Sequence, residues 1–256
     1  MLENSESIYI DHLKKEIMGH KRVWAVEPVM MMPLEDDGLD ATNRGGSSTV
    51  PFNELMAWLD SREENSVIYV CFGSHQVLTP KQTDELVTGL EESGVHFVCC
   101  VREYGLIPEG FEDRVAGKGI LIKGWAPQVA ILQHRAVGAF LTHCGWNSTL
   151  EGITAEVVML TWPMGADQFT NTKLLVDQLG VGIRVGESCQ IKPESSTLAR
   201  VLVESIGGSR VERARVKMLS EAALNAVKGG SSDKDLDSLV KAMINELKPK
   251  TRSNTI

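Results

Sequence analysis

The stretch VIYVCFGSHQVLTPKQTDELVTGLEESGVHFVCCV, residues 67–101, contains the pattern that decides the fold. It opens with an apolar run of strand length at 67–72 and closes with a second one at 95–101. Between them, residues 79–94 have the mixed apolar and polar spacing of an amphipathic helix. A strand, a helix and a strand in this order predict two parallel strands joined by a helical crossover, because parallel neighbours cannot be joined by a tight turn.

The same alternation continues along the rest of the chain. Further strands are predicted at 120–122, 137–143, 157–162 and 181–185, and further helices at 127–134, 148–156, 169–179 and in three C-terminal stretches. This rhythm predicts an α/β fold, a Rossmann-like parallel sheet flanked by helices on both faces. Such sheets bind ligands outside the carboxyl ends of their strands, so the loops that follow the strands are where chemistry is expected.

Composition excludes several classes of protein. The 256 residues are 43% hydrophobic and 23% charged, with a net charge of -8, which is typical of a globular chain. Scattered Lys and Arg under a net negative charge disfavour a nucleic-acid partner. The apolar runs are far shorter than the roughly 20 residues of a membrane helix, and the polar N-terminus lacks a signal-peptide pattern. We therefore expect a soluble, cytoplasmic protein without membrane insertion.

The cysteines indicate thiols of the core. Their number is odd and most lie inside apolar runs: Cys71, Cys99, Cys100, Cys144 and Cys189. This favours buried, reduced thiols over a disulfide framework. A zinc site around His143 and Cys144 is disfavoured because no CxxC pair or other ligand spacing accompanies them, and no metal is expected.

Three regions are predicted along the chain. Residues 1–24 contain a short helix at 8–18 and an extended stretch, and residues 25–51, first acidic and then rich in Gly, Ser and Thr, are predicted to be a linker. Residues 52–256 form the main domain. Its loops contain no GxGxxG, GxxxxGK[ST] or GxSxG motif, which disfavours a nicotinamide dehydrogenase, a P-loop NTPase and an α/β hydrolase.

The densest candidate site is VGAFLTHCGWNSTLEG, residues 137–152. An apolar strand ends at His143, Gly145 permits a tight turn, and a helix is predicted to start near Asn147 or Ser148. A helix N-terminus after a glycine can bind an anion through its unpaired N–H groups. The alternative is a capping box, in which the side chains of Ser148 and Glu151 satisfy those N–H groups themselves.

Other loop residues also admit two interpretations. Trp125 could offer its ring to a nucleobase or fill the edge of the domain, and Gln128 could hydrogen-bond a pyrimidine edge or cap the helix that follows it. Asp167 and Gln168 combine an acceptor with a mixed donor and acceptor, as in sites that bind sugar hydroxyls. Taken singly, these two are more often solvated or capping residues.

Residues 125–168 together resemble the 44-residue signature box of the plant secondary-product UDP-glycosyltransferases. The matching motifs are WAPQ at its start, HCGWNS with the following Glu151 at its centre, and ADQ at its end. The resemblance extends to AWLDSRE (57–63), VIYVCFGS (67–74), IPEGFEDR (107–114) and GGSS (229–232). It implies that residues 52–256 are the C-terminal, UDP-sugar donor-binding domain of a GT-B type enzyme.

The resemblance also implies roles for individual residues. Trp125 would stack on uracil, Gln128 would contact the nucleoside and Glu151 would hold the ribose hydroxyls. The diphosphate would be held by His143 with Gly145, Asn147, Ser148 and Ser74. The sugar would be faced by Trp146, Asp167 and Gln168.

The activity implied is inverting, metal-independent transfer of a sugar to a hydroxyl of a phenolic or flavonoid-like small molecule. In the family a closing Gln goes with UDP-glucose, and the UDP-sugar is a co-substrate, so no cofactor is expected. The departing UDP gains negative charge, which His143 and a helix N-terminus can stabilise.

The acceptor hydroxyl needs a general base. In the family this is a His, paired with an Asp, in an N-terminal acceptor domain, and full-length members are about twice this length. The resemblance therefore implies that no catalytic base is present, that residues 1–24 are a remnant of an otherwise absent acceptor domain, and that this chain supplies the donor-binding half. The alternative is a catalytically silent fragment that binds a nucleotide sugar.

One segment departs from the family pattern. Where the family usually has Ala-Gly-Val-Pro-Met, residues 155–159 read Ala-Glu-Val-Val-Met. Glu156 is expected to be strained if this turn needs a positive φ, and a shift here would displace Asp167 and Gln168. Residues 231–247 are separately predicted to form an amphipathic helix with an exposed apolar face.

Overall fold

Residues 67–184 contain the strands of one parallel sheet. The structure is a computed structural model that describes residues 12–18, 22–26, 48–74, 76–102, 107–186, 193–207 and 210–247. Within these residues the sheet has six strands, namely β1 (Val67–Cys71), β2 (His96–Val101), β3 (Gly119–Lys123), β4 (Val137–Thr142), β5 (Val158–Thr161) and β6 (Gly182–Arg184). The predicted α/β fold is confirmed.

The strand order is β3-β2-β1-β4-β5-β6. The chain runs outward from β1 to β3, crosses back to the centre, and then runs outward again from β4 to β6. The order reverses between β1 and β4, where Tyr69 pairs with Phe140 and Cys71 pairs with Thr142. A crevice forms outside the carboxyl ends of the strands at such a reversal, so the fold places its ligand site after β1 and β4.

Helices connect and cover the strands. Their bounds are α1 (Leu13–Ile17, one π-helical turn), α2 (Phe52–Asp60), α3 (Pro80–Ser93), α4 (Phe111–Arg114), α5 (Gln128–Leu132), α6 (Trp146–Thr154), α7 (Gln168–Lys173, continued by the π-helical turn Leu174–Gln178), α8 (Ser195–Ser205), α9 (Val211–Val227) and α10 (Ser231–Leu247). None of the helices in the described ranges is both long and apolar enough to cross a membrane.

The two faces of the sheet are buried by different helices. Successive side chains of a strand point to opposite faces, so Val67, Tyr69 and Cys71 join one core cluster with α2, α5 and α6. Ile68 and Val70 join the other cluster with α3 and α8. Apolar side chains on both faces explain why the strands read as continuous hydrophobic runs rather than as alternating ones.

The structure extends the sequence prediction at two helices. Residues 52–60 form α2, whose Leu55 and Leu59 are fully buried, although no helix was predicted there. Helix α6 begins at Trp146, before the predicted start, because Gly145 is its N-cap. The first part of the predicted helix 8–18 and residues 27–47 of the predicted linker lie outside the described residues.

The chain divides into two compact units, Leu34–Ser220 with the sheet and Met1–Pro33 with Glu221–Ile256. In the second unit, the indole Nε1 of Trp24 donates to Ser238 Oγ at 3.1 Å. The helix predicted at 231–247 is confirmed as α10, and apolar side chains on it are exposed: Val240, Met243 and Ile244.

The turn after α6 has the strain expected of it. Glu156 has a φ of 60°, and the amide of Val157 donates to Gly152 O at 3.0 Å. A side chain in this left-handed conformation brings Cβ close to the backbone. β5, the strand that follows this turn, keeps its register with β4 and β6.

Replacing Glu156 by Gly is therefore expected to raise the free energy of unfolding by about 0.5–1 kcal/mol. Urea unfolding of the purified chain measures this. Glu156→Ala is the matched control, because it removes the same side chain but keeps Cβ, and it should give no comparable gain. Equal gains in both variants would show that the side chain, and not the backbone conformation, is unfavourable.

Candidate functional site

Several of the residues predicted to bind a ligand lie at the carboxyl ends of β1 and β4. The loop after β1 contains Gly73 and the half-buried Ser74, and the turn after β4 contains His143 and Gly145. The two strands are hydrogen-bonded neighbours, so these loops are adjacent although they are far apart in sequence.

The imidazole of His143 fits between two glycine backbones. A Cβ built on Gly73 would lie 2.6 Å from both Cε1 and Nε2 of the ring, and one built on Gly145 would lie 2.6 Å from Nε2. Real Cβ atoms do not approach so closely, so both positions require glycine while the ring stays in place. Gly73 also has a φ of 75°, which glycine adopts without steric cost.

His143 is held as a neutral ring. Its Nδ1 is buried and has no hydrogen-bond partner. Burial lowers the pKa of His143 below its ordinary value, and the Asp167 carboxylate only partly opposes that shift. A neutral imidazole can still donate one hydrogen bond, so the ring can contact an anion without itself carrying a charge.

The N-terminus of α6 is left open by its own side chains. Gly145 is the N-cap, no side chain caps the helix, and the first backbone bond within it runs from Thr149 N to Gly145 O at 2.9 Å. The capping box considered for Ser148 and Glu151 is therefore wrong, because Ser148 is the third helical residue. The amides of the first turn remain oriented for an anion.

The side chain of Gln128 links α5, α6 and β1. Its Nε2 donates to Ser148 Oγ at 3.0 Å and to Glu151 Oε2 at 2.5 Å. Its Oε1 accepts from the hydroxyl of Tyr69 at 3.3 Å. The capping role considered for Gln128 is also not observed, since Pro127 is the N-cap of α5 and no side chain bonds to it. The network fixes the direction in which Glu151 faces the site.

Two exposed tryptophan rings follow the carboxyl ends of β3 and β4. Trp125, directly after the loop residue Gly124, is 39% exposed, and Trp146, the first residue of α6, is 42% exposed. Trp125 is therefore not a buried core residue. Large exposed rings beside a polar crevice offer flat surfaces for stacking.

The loop after β5 is joined to the turn after β4 by Asn171. The Nδ2 of Asn171 donates to Cys144 O and to Asp167 Oδ2, both at 2.9 Å. Gln168 is buried, and its Oε1 accepts from the amides of Met164 and Gly165 at 2.8 and 2.9 Å. Gln168 thus shapes its own loop, and its Nε2 is the group left for a ligand.

The thiols near the site belong to the core. Cys144 is fully buried with a φ of 64°, and burial raises the pKa of its thiol to about 12. Cys71 pairs with Cys100 across β1 and β2, and the hydrogen bond from Cys100 lowers the pKa of Cys71. Cys71, Cys99, Cys100 and Cys144 are free, whereas Cys189 lies outside the described residues. In the described part of the chain, no group of three or more His, Cys, Asp or Glu could hold a metal ion.

Sequence reasoning missed three residues of this arrangement. Tyr69 was assigned only to a strand, Asn171 only to a helix, and Gly73 only to a loop. The usable signal was weak: a tyrosine hydroxyl within a buried strand needs a polar partner, and a buried helical Asn needs hydrogen bonds.

The neutral state of His143 predicts a pH effect on stability. Because the folded pKa lies below the unfolded value of about 6.5, the unfolded chain takes up the proton first as the pH falls. This contribution is fully present above the unfolded pKa and is lost as the pH falls through the folded pKa. Urea unfolding at pH 7.5 and 5.5 should show a smaller loss of stability in His143→Gln than in the wild type.

His96 provides the internal control for that comparison. Burial and the nearby Arg62 also lower the pKa of His96, so its contribution to the pH dependence should remain in both proteins. The same pH dependence in wild type and His143→Gln would contradict a neutral His143 with a lowered pKa.

Known proteins share this sequence and fold. The family model described as "UDP-glucoronosyl and UDP-glucosyl transferase" matches residues 4–194. A flavonol 3-O-glucosyltransferase of Arabidopsis thaliana is 52% identical over 247 residues, which cover 93% of this chain and 50% of that protein. A flavonol 7-O-rhamnosyltransferase of Arabidopsis thaliana is 46% identical over 253 residues, which cover 93% and 57%.

Solved structures of similar sequence have the same fold as this chain. The crystal structure of Arabidopsis thaliana UGT89C1 complexed with UDP-L-rhamnose matches with a TM-score of 0.83 and 47% identity, over 93% of this chain and 56% of that one. The chain thus spans about half the length of the curated relatives it matches. On the family model, the relatives and the shared GT-B fold, the chain belongs to the plant UDP-glycosyltransferase family.

Proposed function

We propose that this chain binds a UDP-sugar across the carboxyl ends of β1 and β4 and serves the transfer of its sugar to a hydroxyl of a phenolic small molecule. The main observation in support is the position of the His143 ring between Gly73 and Gly145, immediately before a helix N-terminus that no side chain caps. This arrangement joins a hydrogen-bond donor, glycine backbones and helix amides around one small space, which suits a diphosphate.

The uridine end of the donor would lie at the α5 side of the site. The exposed ring of Trp125 would stack on the uracil, and Gln128 would lie next to the nucleoside. Glu151 would accept hydrogen bonds from the ribose hydroxyls, since a carboxylate oriented by Gln128 is an acceptor in a fixed position.

The diphosphate and the sugar would follow in order. His143, the backbone of Gly145 and the first turn of α6 with Asn147 and Ser148 would hold the phosphates, assisted by Ser74. The sugar would lie towards the exposed ring of Trp146, the Asp167 carboxylate and the amide nitrogen of Gln168.

The same groups would help the chemical step. When the bond from sugar to phosphate breaks, negative charge grows on the departing UDP. Oriented amides and the His143 N–H stabilise that charge without rearranging, which lowers the barrier. A diphosphate next to His143 also favours the protonated ring, so the charge on His143 can increase as the charge on the leaving group grows.

The described histidines of the unit that contains the sheet offer no imidazole other than His143 as a general base at this site. His134 pairs with Asp60 at 3.2 Å and His96 contacts Arg62 at 3.2 Å, and both histidines lie at the amino ends of strands, at the opposite edge of the sheet. Among the described histidines of the unit that contains the sheet, only His143 lies at the carboxyl ends of the strands. We therefore propose that turnover needs a base from outside the described residues, and that alone the chain acts as the donor-binding half or as a silent binding fragment.

The donor sugar is proposed to be glucose, because Gln168 closes the signature box. One relative is named a glucosyltransferase and another a rhamnosyltransferase, so both sugars need testing. A flavonoid-like acceptor is proposed because both names specify a flavonol.

Calorimetric titration with UDP tests the site directly. The wild type should bind saturably, and Gly145→Ala should bind at least tenfold more weakly, about 1.4 kcal/mol, because the new Cβ displaces the His143 ring. The φ of -60° at Gly145 allows alanine, so folding should be little affected. Glu151→Ala should also weaken binding.

Gly165→Ala is the matched control, since a Cβ at Gly165 meets no atom within 4 Å. It should bind UDP like the wild type. A folded wild-type chain that binds neither UDP nor a UDP-sugar would refute the proposal, and equal affinity in Gly145→Ala would refute the role of the His143 ring position.

A turnover assay separates the two forms of the proposal. Chain, UDP-glucose and a flavonol should give no glucoside, because none of the histidines that the structure describes is placed to act as a base on the acceptor, and UDP-L-rhamnose should likewise give no product. Product formation would show that the chain contains its own base. Comparing the affinities for the two UDP-sugars tests the preference for glucose without requiring turnover.

A further inference from the structure

We infer that Asn171 is a positioning residue that holds the Asp167 carboxylate at a set distance from the phosphate-binding turn. It thereby increases the affinity of the site for a UDP-sugar relative to its affinity for UDP alone. The inference rests on the proposed function and assigns a role to a residue outside the signature box.

The side-chain amide of Asn171 contacts two loops at once. Asn171 is 7% exposed, and the two N–H bonds of its amide nitrogen can serve two acceptors, Cys144 O and Asp167 Oδ2, each at 2.9 Å. One acceptor belongs to the turn after β4 and the other to the loop after β5. A single planar group therefore sets the separation of the two loops.

The backbone of α7 does not hold the side chain of Asp167 in place. Asp167 is exposed and lies at the N-cap of α7 in a helical conformation, without a hydrogen bond from its side chain to the helix backbone. In the described structure, the Asn171 amide is the hydrogen-bond donor to its carboxylate. Without Asn171 the carboxylate would rotate among several rotamers, and binding a sugar hydroxyl would then cost the entropy of ordering it.

The conformation of the turn after β4 depends less on Asn171 than the orientation of the Asp167 carboxylate does. The amide of Cys144 donates to Thr142 Oγ1 at 3.2 Å, and the amide of Trp162 donates to Thr142 O at 2.9 Å. His143 is held independently by Gly73 and Gly145. Loss of the Asn171 amide should therefore impair the sugar side of the site more than the phosphate side.

The experiment compares the affinities for UDP and UDP-glucose in three proteins: wild type, Asn171→Leu and Asn171→Asp. At pH 8, both variants should bind UDP-glucose about tenfold more weakly than the wild type, with UDP affinity changed by less than about threefold. Asn171→Asp should recover affinity for UDP-glucose at pH 5.5 relative to the wild type at that pH. Two adjacent carboxyl groups then share a proton, and the resulting O–H can donate to Asp167.

Leu175→Val is the control for a purely structural effect. Leu175 is fully buried one turn further along the same helix, and its truncation should lower the melting temperature without changing the ratio of the two affinities. Equal loss of UDP and UDP-glucose binding in the Asn171 variants, an unchanged ratio, or no recovery at low pH would each overturn the inference. Absence of UDP binding in the wild type would instead refute the proposed function, and the inference with it.

Discussion

The constraint on which the site depends is the close approach of two loop backbones to one imidazole ring. Gly73 follows β1, Gly145 follows His143, and neither can carry a Cβ while the ring remains where it is. The contact exists because β1 and β4 are neighbours at the reversal of strand order. α/β sheets generally bind ligands at such a reversal. In this protein the specific cause is that two glycine backbones lie close to the His143 ring with no side chain between them.

A second level of order comes from the core. The ring of Tyr69 is buried and stacks on Phe140 at a centroid distance of 5.0 Å, while its hydroxyl reaches Gln128. Packing thus sets the direction of a hydroxyl, the hydroxyl sets the direction of an amide, and the amide orients Glu151. Because each member is satisfied by the next, the polar network adds order without leaving a buried group unpaired.

Much of the fold was predictable, because continuous apolar runs alternating with amphipathic ones have few solutions other than a parallel sheet. The left-handed conformation of Glu156 was also predictable, since the family pattern has glycine there. The capping box was not a correct prediction, because the motif does not show which residue begins the helix, and Gly145 does so before Ser148 can.

The contacts that join loops could not be predicted. The position of the His143 ring between Gly73 and Gly145 could be predicted only if the loops after β1 and β4 were known to be adjacent. That adjacency depends on strand order and not on local sequence. The Asn171 bridge uses the backbone carbonyl of Cys144, and a backbone acceptor leaves no mark on residue type. Sequence patterns indicate which residues are polar, but only the packed sheet determines which loops they connect.

The strand order also has a consequence for how the protein folds. β1 and β2 can pair through one crossover, whereas β1 and β4 can pair only after the chain has closed a much longer loop around β2 and β3. Long-range pairings of this kind form late, because loop closure costs entropy before any contact compensates for it. A partly folded chain that has only the β1–β2–β3 half would lack His143 beside Gly73 and could not bind a ligand there. Ligand binding at this crevice would therefore stabilise only the completed sheet, and its onset during refolding would mark the closing of the two halves.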